Sequence, residues 1–137
     1  MKMDNTSIAI FIFTSIYWIY LLDPFKSKPQ NRRYKKILHD KTTLISNSSI
    51  CLVLAVLGTI RIIGFQQHDF IALTPLLFII FLFCFNFVSR KLYARDLHLI
   101  IRGDMLKASF FDYFASVFII IIPFVLSIIL TGAILKS

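Results

Sequence analysis

Four residues in the second half of the chain have types and spacing suited to chemistry. Lys91, Arg95, His98 and Arg102 follow one another at intervals of four, three and four, which puts them on one narrow stripe if the segment is helical. Leu92, Tyr93, Leu97, Leu99, Ile100 and Ile101 cover the opposite arc, and Gly103 supplies a helix stop. A basic stripe facing an apolar arc predicts an amphipathic helix that lies on anionic lipid headgroups or docks an acidic partner segment. The same side chains suit a second chemistry. Arg95 and Arg102 can hold a phosphate while His98 or Asp104 moves a proton, as an enzyme acting on a lipid phosphate at the cytoplasmic surface requires. Asp96, His98 and Asp104 do not share a helix face, so they predict no metal site.

Arg61 is the charge that falls clearly inside an apolar run. A cation at the bilayer centre costs about 2.5–3.5 kcal/mol, so it marks a candidate intramembrane site for a ligand or ion. It also lies near the end of its run, within reach of the interface by snorkelling, and Asp69 across the following turn is a ready counter-ion. On the same run Ser48, Cys51, Ala55, and Gly58 or Thr59 recur on one face, predicting a small-residue seam for close helix packing. Asn47, beside that seam, is expected to pair with Asn86. No Walker loop, GxGxxG, HExxH, CxxC or GxSxG motif occurs, and neither a metal nor another cofactor is expected. Arg102-Gly103-Asp104 spells an adhesion tripeptide, but on the predicted cytoplasmic side. Asn5-Thr-Ser and Asn47-Ser-Ser match the glycosylation pattern, but one abuts a span and the other enters one.

Long apolar segments must position these residues. Of 137 residues, 58% are hydrophobic and 16% charged, against roughly 45–50% and about a quarter in a soluble domain. Residues 70–88 and 113–135 lack the polar face that a soluble helix shows. The pattern predicts an all-α integral membrane protein with a single membrane domain. Its four transmembrane helices fall at 7–22, 44–65, 70–88 and 113–135, forming an antiparallel bundle with the amphipathic helix between spans three and four. In the first run the positive charge follows the apolar stretch and no small-residue cleavage site appears, so it is expected to remain as a span rather than leave as a signal peptide. Residues 32–39 suit a short helix. Thr42 or Thr43 is the expected N-cap of the second span, and Ser109 with Asp112 forms a capping box for the fourth. Pro123 predicts a kink there, with Ser116, Pro123, Ser127 and Thr131 on the face turned inward. Cys51 and Cys84 sit in apolar runs and predict no disulfide.

The net charge of +8 comes from 15 Lys and Arg against seven Asp. In a soluble protein that balance suggests nucleic acid. Beside membrane spans it suits anionic headgroups instead, and no nucleic-acid partner is expected. The interval 23–43 holds seven Lys and Arg and 89–112 holds five, while the turn after Arg61 holds none. Both basic intervals are therefore expected in the cytoplasm and both termini outside. Small size and the lack of a sorting tail point to a bacterial inner membrane. In size, span number and Ile/Phe/Lys-rich composition the chain is broadly similar to immunity proteins against pore-forming bacteriocins, a likeness of architecture that carries no functional residue.

Three functions are consistent with these features. The favoured one is a non-catalytic membrane protein acting through helix and lipid contacts, as an accessory subunit, assembly factor or immunity-type partner. Its partners would be membrane lipids with a larger membrane protein or a second copy of the chain. The alternatives are a small oligomeric transporter or channel using Arg61 and the Ser/Thr faces of spans two and four, and the lipid-phosphate enzyme.

Overall fold

The structure, a computed structural model, describes residues 4–26, 28, 31–65, 69–101 and 108–136. It is all-helical: α1 (Asn5–Leu22), α2 (Arg33–His39), α3 (Lys41–Phe65), a 3-10 turn (Phe70–Leu73) running into α4 (Thr74–Tyr93), and α5 (Phe110–Lys136). Four segments are long and apolar enough to cross a membrane: α1, α3, the 3-10 turn with α4, and α5. Residues 66–68, most of the short turn after Arg61, lie outside the described residues.

Helix ends fall where side chains satisfy the backbone groups left open there. Asp4 caps α1, accepting from the Ser7 amide at 2.7 Å. At its other end Asp23 adopts a left-handed conformation (φ 49°), its own amide bonding the Ile19 carbonyl, and Pro24 prevents continuation. α3 begins earlier than expected. Asp40, not Thr42 or Thr43, is its cap: the carboxylate takes the amides of both threonines and the Thr43 hydroxyl. The short helix α2 forms as anticipated, and its C-terminal cap is the same Asp40. Pro75 sits in the first turn of α4, where its missing N–H costs nothing. Ser109 and Asp112 form the expected capping box, each side chain reaching the other's amide, at 3.0 and 3.4 Å.

The amphipathic helix expected in 89–112 is not formed among the described residues. α4 runs on to Tyr93 and stops at Ala94, whose φ of 52° ends the helix while its amide bonds the Arg90 carbonyl. Residues 95–101 are non-helical, and burial alternates along them. Leu97 and Leu99 are fully buried, while His98 and Ile100 are partly exposed. The segment thus follows a two-residue period, that of extended chain, rather than a helical one. It lies as a strap across the helices, and its backbone groups find side-chain partners described below.

The outer surface is unlike that of a water-soluble bundle. Large apolar side chains point outward along α1, α3 and α5, including Ile16, Val53, Ile63 and Ile129. Beside an apolar core that includes Leu21, Phe78, Leu82 and Ile119, the interior holds the polar Ser7, Thr14, Asn47, Asp69, Thr74, Asn86, Ser89, Asp112, Ser116, Ser127 and Thr131. In water such an outer belt would drive aggregation. In hydrocarbon it is the natural lipid-facing surface, and most of the buried polar groups pair inside, the Thr14 and Thr131 hydroxyls excepted. α5 passes through Pro123 as one helix. Ser116, Pro123, Ser127 and Thr131 are buried on its inner face, Ser127 donating to the Pro123 carbonyl at 2.7 Å and pairing with Thr74 of α4 at 3.1 Å.

Close packing centres on Gly58. A Cβ at that position would stand 2.7 Å from the Ala72 Cβ, so the absence of a side chain lets α3 touch the 3-10 turn. Cys51 and Ala55 are buried on the same face, Ser48 is half-buried, and the Thr59 hydroxyl returns to the Ala55 carbonyl at 2.8 Å. Gly58→Ala forces these backbones apart and is expected to destabilise the detergent-solubilised protein by ~1–3 kcal/mol, outweighing the gain in helix propensity. Gly64→Ala, with open space around it, is expected to leave thermal stability equal or slightly raised. Paired melting curves of the two variants check both.

Candidate functional site

Two polar clusters, one at each end of the helices, gather most of the chemistry-bearing residues. The first is built on Arg61. Its Nη2 donates to Asp4 Oδ1 at 2.7 Å and to Ser7 Oγ at 3.0 Å, and its Nε donates to the Asp69 carboxylate. One guanidinium thus ties α3 to the start of α1 and to the residue that opens the 3-10 turn. The Asp69 side chain is 2% exposed and that of Asp4 48%. Asp69 is the counter-ion expected from the sequence, whereas Asp4 and Ser7 add a third element that local spacing gave no reason to include. The Arg61 bond, with the Ser7 amide adding to it, holds the Asp4 carboxyl down at about 2, so it stays ionised at neutral pH. Fork geometry lets a single side chain serve both carboxylates.

The second cluster clasps the strap. Asn86 Oδ1 accepts from the Leu97 amide at 2.9 Å, the Tyr34 hydroxyl from the Leu99 amide at 3.2 Å, and Ser116 Oγ from the Ile100 amide at 2.8 Å. Lys35 Nζ donates to the Leu97 carbonyl at 2.7 Å, and Ser89 Oγ to the Arg95 carbonyl at 3.0 Å. Side chains of α2, α4 and α5 therefore do for this segment what a neighbouring strand does in a sheet. Asp112, fully buried, anchors it further: its carboxylate takes Arg95 Nη2 at 2.6 Å and the His98 amide at 3.3 Å. Within it, Asp96 pairs with Arg90 Nε at 2.6 Å and His39 Nε2 at 2.9 Å.

The electrostatics of this end are those of paired charges. Burial disfavours the Asp96 anion, yet the Arg90 hydrogen bond and the charges of Arg90, His39 and Lys35 outweigh it and hold its carboxyl below the usual range. Burial pulls the Lys35 ammonium below its ordinary value, although Asp96 and Asp112 pull the other way. The expected stripe of Lys91, Arg95, His98 and Arg102 is dispersed by this geometry. Lys91 is exposed on α4, its Nζ 4.8 Å from the Phe87 ring centre, while Arg95 turns in to Asp112. His98 bonds through its backbone, and Arg102, Gly103 and Asp104 lie outside the described residues. Among the described residues no three His, Cys, Asp or Glu side chains gather to hold a metal ion.

Asn47 and Asn86 turn to separate partners rather than to each other. Asn47 accepts from the Tyr17 hydroxyl at 2.8 Å and donates to the Thr43 carbonyl at 2.7 Å. This buries the asparagine of Asn47-Ser-Ser between α1 and α3. Aromatics continue the contact along α1: Tyr17 stacks on Tyr20, whose ring lies 4.5 Å from the Arg33 guanidinium, and Trp18 packs on Phe78. The clustering of Tyr17, Trp18 and Tyr20 at the end of the first apolar run suits an interfacial position. The partners of Tyr17, Tyr34, Lys35 and Ser116 are 16 to 65 positions away, so no local pattern announces them.

Removing one member of either cluster strands a buried group. Arg61→Ala leaves the Asp69 carboxylate unpaired and is expected to cost ~2–3 kcal/mol, while Arg61→Met with Asp69→Leu recovers most of that loss; denaturation midpoints in detergent decide it. Asn86→Leu leaves the fully buried Leu97 amide without an acceptor. Hydrogen exchange across 95–101 is expected to quicken about tenfold or more, read by mass spectrometry of the corresponding peptide, with exchange in α1 unchanged. Compared with protein-family models, with curated proteins and with solved structures, the chain finds no match in any of the three.

Proposed function

We propose that this chain is a multi-pass membrane protein that works without catalysis, as a small partner subunit or assembly factor recognised through its helices and bound lipids. The observation that carries the reading is the use made of its charged and polar side chains. Arg61, Arg90 and Arg95, with Asp4, Asp69, Asp96 and Asp112, are engaged in pairs that hold the chain's own elements together. The surface left for others is an apolar belt with a fringe of exposed cations, Lys28, Lys36, Lys41 and Lys91 among them. Such a surface suits helix contact and anionic headgroups.

In this reading the four spans run alternately up and down. The meeting of Asp4 with Arg61 and of Tyr17 with Asn47 supports opposite directions for α1 and α3. The end carrying α2 and the strap faces the cytoplasm, because the basic intervals 23–43 and 89–112 belong to it. Both termini face outward, and a bacterial inner membrane suits a chain of this size. Lys91 at this face touches lipid. Arg95 contributes to the fold of the same surface, and His98 extends its basic rim.

Affinity purification of the tagged protein from its native membrane in mild detergent, with mass spectrometry of the complex, tests the assignment. One larger membrane protein in fixed stoichiometry is the expected result, lost when Val56→Trp alters the exposed apolar belt while the chain still folds. Recovery of the chain alone, with ion or solute flux in proteoliposomes abolished by Arg61→Met, would replace the partner reading with transport.

A further inference from the structure

α2 and the strap bring the two basic intervals to one end of the helices, through Lys35 on the Leu97 carbonyl and His39 on Asp96. Together the intervals 23–43 and 89–112 carry twelve Lys and Arg against five Asp, an excess of seven positive charges. Arg102, Asp104 and Lys107 are all counted in that excess, and protonation of His39 or His98 only adds to it. The described carboxylates of this end are already engaged. Asp23 holds Lys26 at 2.8 Å, Asp40 caps α3, Asp96 holds Arg90 and His39, and Asp112 holds Arg95. Lys28, Lys36, Lys41 and Lys91 are exposed, and among the described residues none of the four forms an ion pair.

The charge calls for an anion, and the neighbours of the lysines select its source. The four lysines are spread over the α1–α2 connection, α2, the first turn of α3 and the last turn of α4, rather than gathered on one helix face as a docked acidic peptide requires. Large apolar rings are exposed at the same ends of the spans: Phe25 and Phe110 are 83% and 87% exposed, and Tyr93 is half-exposed. Under a soluble acidic protein much of this ring surface stays in water. In the headgroup layer each ring meets the edge of the hydrocarbon while the ammonium beside it reaches phosphate. Lys91 combines both features within one helix turn, its Nζ 4.8 Å from the centre of the exposed Phe87 ring.

We propose that this end selects acidic phospholipids, whose headgroup phosphates supply the counter-charge that the chain's own aspartates do not. Lys28, Lys36, Lys41 and Lys91 are the contacting cations, and the exposed rings set their depth. The inference rests on the lipid-contact part of the reading above, to which it gives a class of lipid, and it is independent of any protein partner.

The test uses the full-length protein in phosphatidylcholine vesicles, probed with phosphatidylglycerol and phosphatidylcholine that are each spin-labelled near the end of one acyl chain. The motionally restricted fraction of each label gives the relative association of the two lipids with the protein. At low salt phosphatidylglycerol is expected to associate about threefold or more strongly, and the ratio to approach parity at about 1 M salt, where the Debye length is about 3 Å. Lys28→Gln, Lys36→Gln, Lys41→Gln and Lys91→Gln combined are expected to bring the low-salt ratio to about 1.5 or less, with circular dichroism verifying the fold. Lys136→Gln, exposed at the opposite end of α5, is expected to leave it unchanged. Inorganic phosphate at constant ionic strength is likewise expected to have no effect; parity produced by phosphate would reassign the lysines to a soluble phosphate compound. Equal association of the two lipids with the wild type at low salt overturns the proposal, as does a ratio undiminished in the fourfold variant. Equal association together with retention of poly-glutamate on the vesicles would assign the lysines to an acidic protein. A restricted fraction for neither lipid would instead refute the membrane reading itself.

Discussion

Where apolar side chains face hydrocarbon, they gain little by meeting one another, so something else must hold helices in place. Here that role falls to buried polar groups, most of which find a partner inside the molecule because lipid supplies none, the Thr14 and Thr131 hydroxyls being exceptions. Arg61 with its two carboxylates, Tyr17 with Asn47, Thr74 with Ser127, and Asp112 with Arg95 join segments far apart in sequence. Between them Gly58 lets α3 meet the 3-10 turn at Ala72. Each bond is individually modest, about 0.5–1.5 kcal/mol net for neutral pairs and more where a charge takes part. Leaving a buried partner unmatched is the larger penalty, which is why the polar pairs specify one arrangement of helices rather than simply adding stability.

The same requirement explains the strap. Chain that is not helical has unpaired amides and carbonyls, and Leu97 and Leu99 carry theirs into a fully buried position. The backbone survives there because Asn86, Tyr34, Ser116 and Lys35 are placed to receive it. A helix over this segment would have satisfied its own backbone but would have withdrawn the Leu97 amide from Asn86, the Leu97 carbonyl from Lys35 and the His98 amide from Asp112. The tertiary partners win over a local pattern that favours helix.

This contest marks the boundary of what the sequence makes legible. The four spans are evident because hydrocarbon length and composition constrain them directly, and Asp69 was within reach because it lies eight residues from Arg61. The capping box of α5 and the short α2 are local signals, and local signals were readable. The four-three-four spacing of Lys91 to Arg102 was local too, yet it misled, since Ala94 stops α4 in a conformation that alanine seldom adopts. The alternation of Leu97 and Leu99 about His98 was the competing cue for extended chain. Asp4, Tyr17, Tyr34 and Ser116 acquire their roles only through contacts across the fold, and nothing in their immediate neighbourhoods distinguishes them.

Asp40 links α2 and α3 with no loop between them. Its amide closes the end of one helix and its carboxylate opens the next, so a single residue forms an elbow with little play. α2 is about 10 Å long, and Tyr34 and Lys35 project from it onto the strap. A tilt of α3 within the bilayer, as from a change in membrane thickness, is therefore carried through that elbow as lever motion.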